Sequence, residues 1–132
     1  AEQSVFLDVL RVGAVVRIPG QVTLLRPGPQ QVDAVVMHAP GTLKGDRSEI
    51  RAVQRVFAGK PPAVTSNKWK IGHTLGASGL LSLEMAVLML QKQKFIGVPY
   101  VTGAAVPTQL RYILVNAVGF GGNAVSILLR RP

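Results

Sequence analysis

No cysteine occurs in this chain of 132 residues, which excludes disulfides, zinc–thiolate centres and any cysteine nucleophile supplied by the polypeptide itself. The same absence is compatible with a reducing cytoplasm. Acidic residues are scarce too: six Asp and Glu stand against fifteen Lys and Arg, a formal net charge of +9. A field of that sign favours acidic partners and speeds their encounter. Nucleic acid is the first such partner to weigh, but the basic residues are dispersed along the sequence, aromatics make up only 5%, and no recognition motif accompanies them. An acidic carrier protein, or solubility alone, accounts for the charge equally well, and no nucleic acid is expected. No run reaches the roughly 20 apolar residues that span a bilayer; the longest candidate, Leu75 to Leu90, contains Ser78, Ser82 and Glu84. A soluble, cytoplasmic protein is the expectation. The N-terminus has neither an initiator Met nor the charged-then-apolar order of a secretion signal, which leaves room for processing or truncation.

What remains is rich in apolar residues, at 48%, with only 16% charged, against an ordinary charged share of about a quarter. The length suits one domain with a real core. The apolar surplus points to a partner that covers part of it.

Along the chain, Val5, Phe6, Val9 and Leu10 space out a short helix over Ser4 to Arg11. Turn signals follow at Arg17-Ile18-Pro19-Gly20 and Leu25-Arg26-Pro27-Gly28-Pro29. Residues 1–31 are otherwise unassigned, and 32–132 are read as one domain. Val32 to Met37 is a Val-rich run suited to a buried strand, and it ends on His38. Asp46-Arg47-Ser48-Glu49 has the form of a capping box, followed by Ile50, Val53 and Phe57 on one face of a helix that closes near Gly59. Pro61 and Pro62 stop it, Ala63 to Ser66 reads as a second strand, and Asn67 to Gly72 as a polar loop. From Thr74 to about Gln91 leucines and methionines occupy every side, which predicts a helix buried on opposite faces, as a central layer would be. Tyr112 to Val115 and Ala124 to Leu129 are strand-like and joined closely enough to be antiparallel neighbours. The order implies an α/β layered fold.

Three blocks carry the chemistry. They are His38-Ala39-Pro40-Gly41-Thr42-Leu43-Lys44-Gly45-Asp46-Arg47-Ser48-Glu49, then Ser66-Asn67-Lys68-Trp69-Lys70-Ile71-Gly72-His73-Thr74-Leu75-Gly76-Ala77-Ser78-Gly79, then Asn116-Ala117-Val118-Gly119-Phe120-Gly121-Gly122. Taken singly, each histidine is as well read as a hydrogen-bonded structural residue, Lys68 as a solvated lysine and the glycine-rich loop as a hairpin turn. In order and spacing the set resembles the second half of the β-ketoacyl-acyl-carrier-protein synthases, from about Val32 to Leu129.

That resemblance implies the C-terminal half of a thiolase-like fold, a layered sheet with a buried central helix. It implies a condensing acyltransferase whose cysteine lies on the other half, so that this chain alone lacks the nucleophile. His38 and His73 would be the catalytic pair and Lys68 their ordering lysine. Thr42 would hold the pantetheine arm, while Phe120, with Gly119 and Gly121, would gate the acyl pocket and supply an oxyanion N–H. Asp46 and Glu49 would give structural support. No cofactor or metal is implied, the substrates riding on the phosphopantetheine of an acyl carrier protein. The implied partners are that carrier, the N-terminal half of the synthase, and a second subunit in a homo- or heterodimer. The reaction would serve fatty-acid or polyketide synthesis. A non-catalytic chain-length-factor type of subunit is the alternative. Several positions depart from the family pattern: Ser82 stands where a glutamate usually partners the lysine, Pro40 replaces the first of two threonines, Val118 replaces a bulkier aromatic, and Asn123 and Ala124 stand in place of a polar pair. The helix beginning near Thr74 would, through its positive N-terminal end, hold His73 neutral below about pH 6.5, and a neutral imidazole can donate to a developing enolate.

Overall fold

The computed structural model describes residues 14–17, 21–23, 28–121 and 123–131; the helix expected over Ser4 to Arg11 and most of the two early turns lie outside them. Six strands form one mixed sheet: β1 (Ala14–Arg17), β2 (Gln21–Thr23), β3 (Ala34–Val36), β4 (Ala63–Thr65), β5 (Tyr112–Val118) and β6 (Ala124–Arg130). Among the described residues three helices accompany them, α1 (Leu43–Val56), α2 (Lys68–Ile71) and α3 (Ser78–Lys92). The spatial order is β2-β1-β6-β5-β3-β4. β3 runs parallel to both β4 and β5, whereas β5 and β6 form the expected antiparallel hairpin, with Val118 opposite Ala124 and Tyr112 opposite Arg130.

Strand alternation sorts the core into two layers. Ala34, Val36, Ile113, Val115 and Leu129 face α3 and pack with its Ala86, Met89 and Leu90. Val35, Met37, Leu114 and Leu128 point the other way and meet Val53 and Phe57, from α1 and its end. The sheet is therefore the middle of three layers.

One expectation is corrected here. α1 does not begin with a capping box at Asp46 and Glu49. It begins at Leu43, because Thr42 is extended (φ −105°, ψ 139°) and its Oγ1 accepts the Gly45 N–H at 3.2 Å. A glycine is required at position 45, since a Cβ there would lie 2.7 Å from Thr42 Oγ1 and 2.8 Å from the Pro40 ring. Of α3, the helix expected to be buried on opposite faces, the described residues cover one side. Ser78, Ser82, Ala86, Met89 and Leu90 are buried, while Leu80 is 70% exposed and Leu88 44% exposed on other sides of the helix. The polar stretch after β4 also contains a single helical turn, α2, closed by Gly72 at φ +73°, a left-handed conformation that favours glycine.

Because β3, β4 and β5 are parallel, their C-terminal ends share one edge of the sheet. The segments that follow, bearing His38, Lys68 and Phe120, all leave from that edge, where open α/β sheets carry their ligand sites.

Candidate functional site at the strand ends

His38 is buried at the end of β3, and His73 is exposed in the connection between α2 and the 3-10 turn Leu75–Ala77. Their rings meet edge to face, with centroids 5.2 Å apart and planes at 79°. The Leu75 N–H donates to His73 Nδ1 at 3.1 Å. With Nδ1 accepting, a neutral His73 carries its proton on Nε2, ready to donate. Four residues lie between His73 and the first residue of α3, so the nearer element is the 3-10 turn rather than the α-helix end expected from the sequence.

A buried carboxylate holds the other histidine. Glu49, 1% exposed, accepts the His38 N–H on Oε1 and the Ala39 N–H on Oε2, both at 2.8 Å. Asn116 Nδ2 on β5 donates to the same Oε1 at 3.0 Å, and Ser126 Oγ on β6 donates to Asn116 Oδ1 at 2.7 Å. One carboxylate thus ties α1, the loop after β3 and the β5–β6 hairpin. Ala39 sits at φ +33° and Leu75 at φ +50°, unfavourable for a residue with a side chain. Each gives its N–H to a side chain of the site, Glu49 and His73 respectively.

Burial sets the electrostatics. The His38 imidazole is lowered from 6.5 to about 4, first by burial, then by the positive Lys68 and by His73, with Asp46 opposing. The Glu49 carboxyl is raised by burial against the three donors and Lys68. Lys68 is lowered by burial, opposed by Glu49 and Asp46. Its buried Nζ finds no hydrogen-bond partner among the described residues, and neither do Trp69 Nε1 and Thr74 Oγ1. Ser82, where a glutamate was expected, is buried and donates to Asn67 Oδ1 at 3.4 Å.

The structure brings His38 and His73 together, with Lys68 and Asp46 close enough to act on the charge of His38 and Glu49 bonded to its backbone N–H. Thr42, the cap of α1, is exposed at the same sheet edge. Gly119, Phe120 and Gly121 form the tip of the hairpin, closed by the Gly119 N–H donating to Asn123 O at 2.7 Å, with Gly121 at φ +83°. The Phe120 ring stands 97% exposed there. Asp46 Oδ1 accepts the Gly41 N–H at 3.0 Å and steadies the loop after His38. Sequence reasoning missed Asn116 and Ser126, although an amide between Val115 and Ala117 in an apolar strand must be hydrogen-bonded, and that was the available signal.

Comparison with known proteins gives this edge a family. The model for "Beta-ketoacyl synthase, C-terminal domain" matches residues 22–99. The chain belongs to that family. Among its β-ketoacyl synthase relatives, the 3-oxoacyl-acyl-carrier-protein synthase 2 of Mycobacterium bovis is 34% identical, matching 92% of this chain and 31% of its own length. Orsellinic acid synthase of Emericella nidulans is 36% identical over 79% of this chain and 6% of its own length. The chain therefore spans less than a third of these curated relatives. The fold is that of thiolase-like ketosynthases: the module 6 ketosynthase of the bacillaene synthase from Bacillus subtilis superposes with a TM-score of 0.68 at 24% identity, covering 76% of this chain and 22% of that one. The ishigamide ketosynthase/chain length factor gives a TM-score of 0.69 at 20% identity, covering 79% and 29%. No helix among the described residues is long and apolar enough to cross a membrane.

Proposed function

We propose that this chain is the catalytic second half of a β-ketoacyl synthase and supplies the histidines that decarboxylate a malonyl thioester. The observation that supports the reading most strongly is the His38–His73 pair, rings 5.2 Å apart, with the proton of neutral His73 directed to Nε2 by the Leu75 N–H. In the proposed reaction the bond between the malonyl α-carbon and its carboxylate breaks. CO₂ leaves, and the electron pair passes into an enolate whose oxygen accepts hydrogen bonds from the imidazoles. The α-carbon then attacks an acyl thioester on a cysteine of the other half. A carbon–carbon bond forms, the cysteine sulfur leaves, and a 3-oxoacyl thioester two carbons longer remains on the carrier.

A low pKa at His38 suits this role, because a neutral imidazole donates without first losing its charge. Thr42, whose Oγ1 accepts from Gly45, keeps its own proton free to reach a pantetheine arm. Phe120 and its flanking glycines line the acyl side. Three polar atoms in the Lys68 to Thr74 segment that are unmet among the described residues support completion of the site by groups from the other synthase half, in a dimer that takes its substrates from an acyl carrier protein.

The test is CO₂ release from a malonyl thioester by the assembled synthase. His73→Ala and His38→Ala should each lower the rate by about 10²-fold or more, the usual cost of one preorganised donor to an oxyanion. Unchanged release in both variants would favour the other reading, a non-catalytic chain-length-factor type of subunit. Ser82 in place of a glutamate, with Lys68 Nζ left without a partner among the described residues, is what favours that alternative.

A further inference from the structure

Four of the fifteen cations dispersed in the sequence line one face of α1. At about 100° per residue, Lys44, Arg47, Arg51 and Arg55 fall within a sector of about 80°. They lie opposite the side on which Glu49, Ala52 and Val53 are buried. All four are exposed, and at about 1.5 Å per residue the stripe runs for about 16 Å. Arg47 with Arg51, and Arg51 with Arg55, are like charges at four-residue spacing, which destabilises a helix. The helix's own acids do not offset this. Asp46 is bonded to the Gly41 N–H, and Glu49 is buried under His38 and Ala39. The one ion pair among the described residues, Arg111 with Asp33 at 3.1 Å, lies elsewhere.

The stripe begins at the site. Lys44 is two residues from the cap Thr42, and the first turns of α1 are bound to the His38 loop through Asp46 and Glu49. Leu43, 89% exposed, flanks that end and offers an apolar contact. The stripe interleaves no aromatic side chain on which a base could stack. We infer that the outward face of α1 docks the acidic face of the carrier protein that delivers the thioesters, its carboxylates meeting Lys44, Arg47, Arg51 and Arg55 while the pantetheine arm enters past Thr42. This rests on the function proposed above.

The test uses the chain assembled with its cysteine-bearing half, the variant Arg47→Glu/Arg51→Glu/Arg55→Glu, and two substrates: malonyl carried on acyl carrier protein, and malonyl-pantetheine without the protein. The variant should lose about tenfold or more in kcat/KM on the carrier-bound substrate, the scale of electrostatic steering, mainly through KM. On malonyl-pantetheine it should match the parent. Loss on both substrates, or on neither, overturns the docking site. A parent that releases CO₂ from neither substrate brings down the proposed function instead. Docking is then decided by fluorescence anisotropy with labelled apo carrier protein, where the variant must bind about tenfold more weakly and equal affinity overturns the inference. DNA binding as tight as carrier binding, and lost in the same variant, would overturn it in favour of nucleic acid. If the triple reversal lowers the helix content, Arg51→Gln/Arg55→Gln carries the same test with an expected fall of about threefold.

Discussion

At the scale of single residues, Glu49 carries more than any other side chain in the site. Its carboxylate accepts from two backbone N–H groups and one amide in a place closed to water. Glu49→Ala leaves three donors unmet, each costing about 1–3 kcal/mol, and should lower unfolding stability by about 3 kcal/mol or more in a urea titration. Glu49→Gln, which keeps one acceptor oxygen, should lose less. The His38 imidazole should titrate in an NMR experiment with a midpoint of about 4, far below its ordinary 6.5. Lys68→Met should raise that midpoint without restoring it, since burial is the larger cause and Lys68 the second. Between about pH 4 and 6.5 the unfolded chain binds a proton at this histidine that the folded chain does not, so the His38 contribution is complete above 6.5 and is lost as pH falls toward 4. A midpoint near 6.5 in the folded protein would contradict the burial of this ring.

Among the elements, the start of α1 is the sharpest case. Gly45→Ala gains helix propensity of about 1 kcal/mol but drives a Cβ into Thr42 Oγ1 and the Pro40 ring, a rigid neighbour and a cap worth about 1 kcal/mol. The clash should win, giving a lower melting temperature than the parent, while Thr42→Ala alone should cost about 1 kcal/mol. The same junction shows where sequence reading reaches its limit. Asp46 and Glu49 match a capping box in spacing, yet the real cap is Thr42, and Glu49 is spent on partners from residues 38, 39 and 116. Local spacing does not report pairings across 67 residues of chain. Strands β3, β4, β5 and β6 were legible because β-branched and apolar runs between glycine and proline signals have few other readings. The parallel addition of β1 to β6 was not, because strand order arises from long-range pairing that a short run such as Ala14–Arg17 does not encode. In the site, the three blocks were legible as a pattern, but the tautomer of His73, set by the Leu75 N–H, depends on a φ of +50° at Leu75 that side-chain identity does not announce.

For the molecule as a whole, the two helix layers end in opposite kinds of surface. α1 turns cations to the outside, whereas α3 and the turn before it expose Leu75 (72%) and Leu80 (70%), with Leu88 also uncovered. Clustered apolar surface of this kind marks an interface, and the N-terminal synthase half is the partner proposed for it. The isolated chain should therefore bind a hydrophobic dye and run as a polydisperse species in gel filtration, and addition of the other half should remove both behaviours. A monodisperse, dye-silent chain that unfolds in one cooperative step would contradict this. Leu75 lies on the same short stretch as His73 and donates to its ring. Whatever covers the Leu75 side chain therefore also rests on the backbone that orients the His73 ring, so burying this face and setting the imidazole's tautomer fall to one residue.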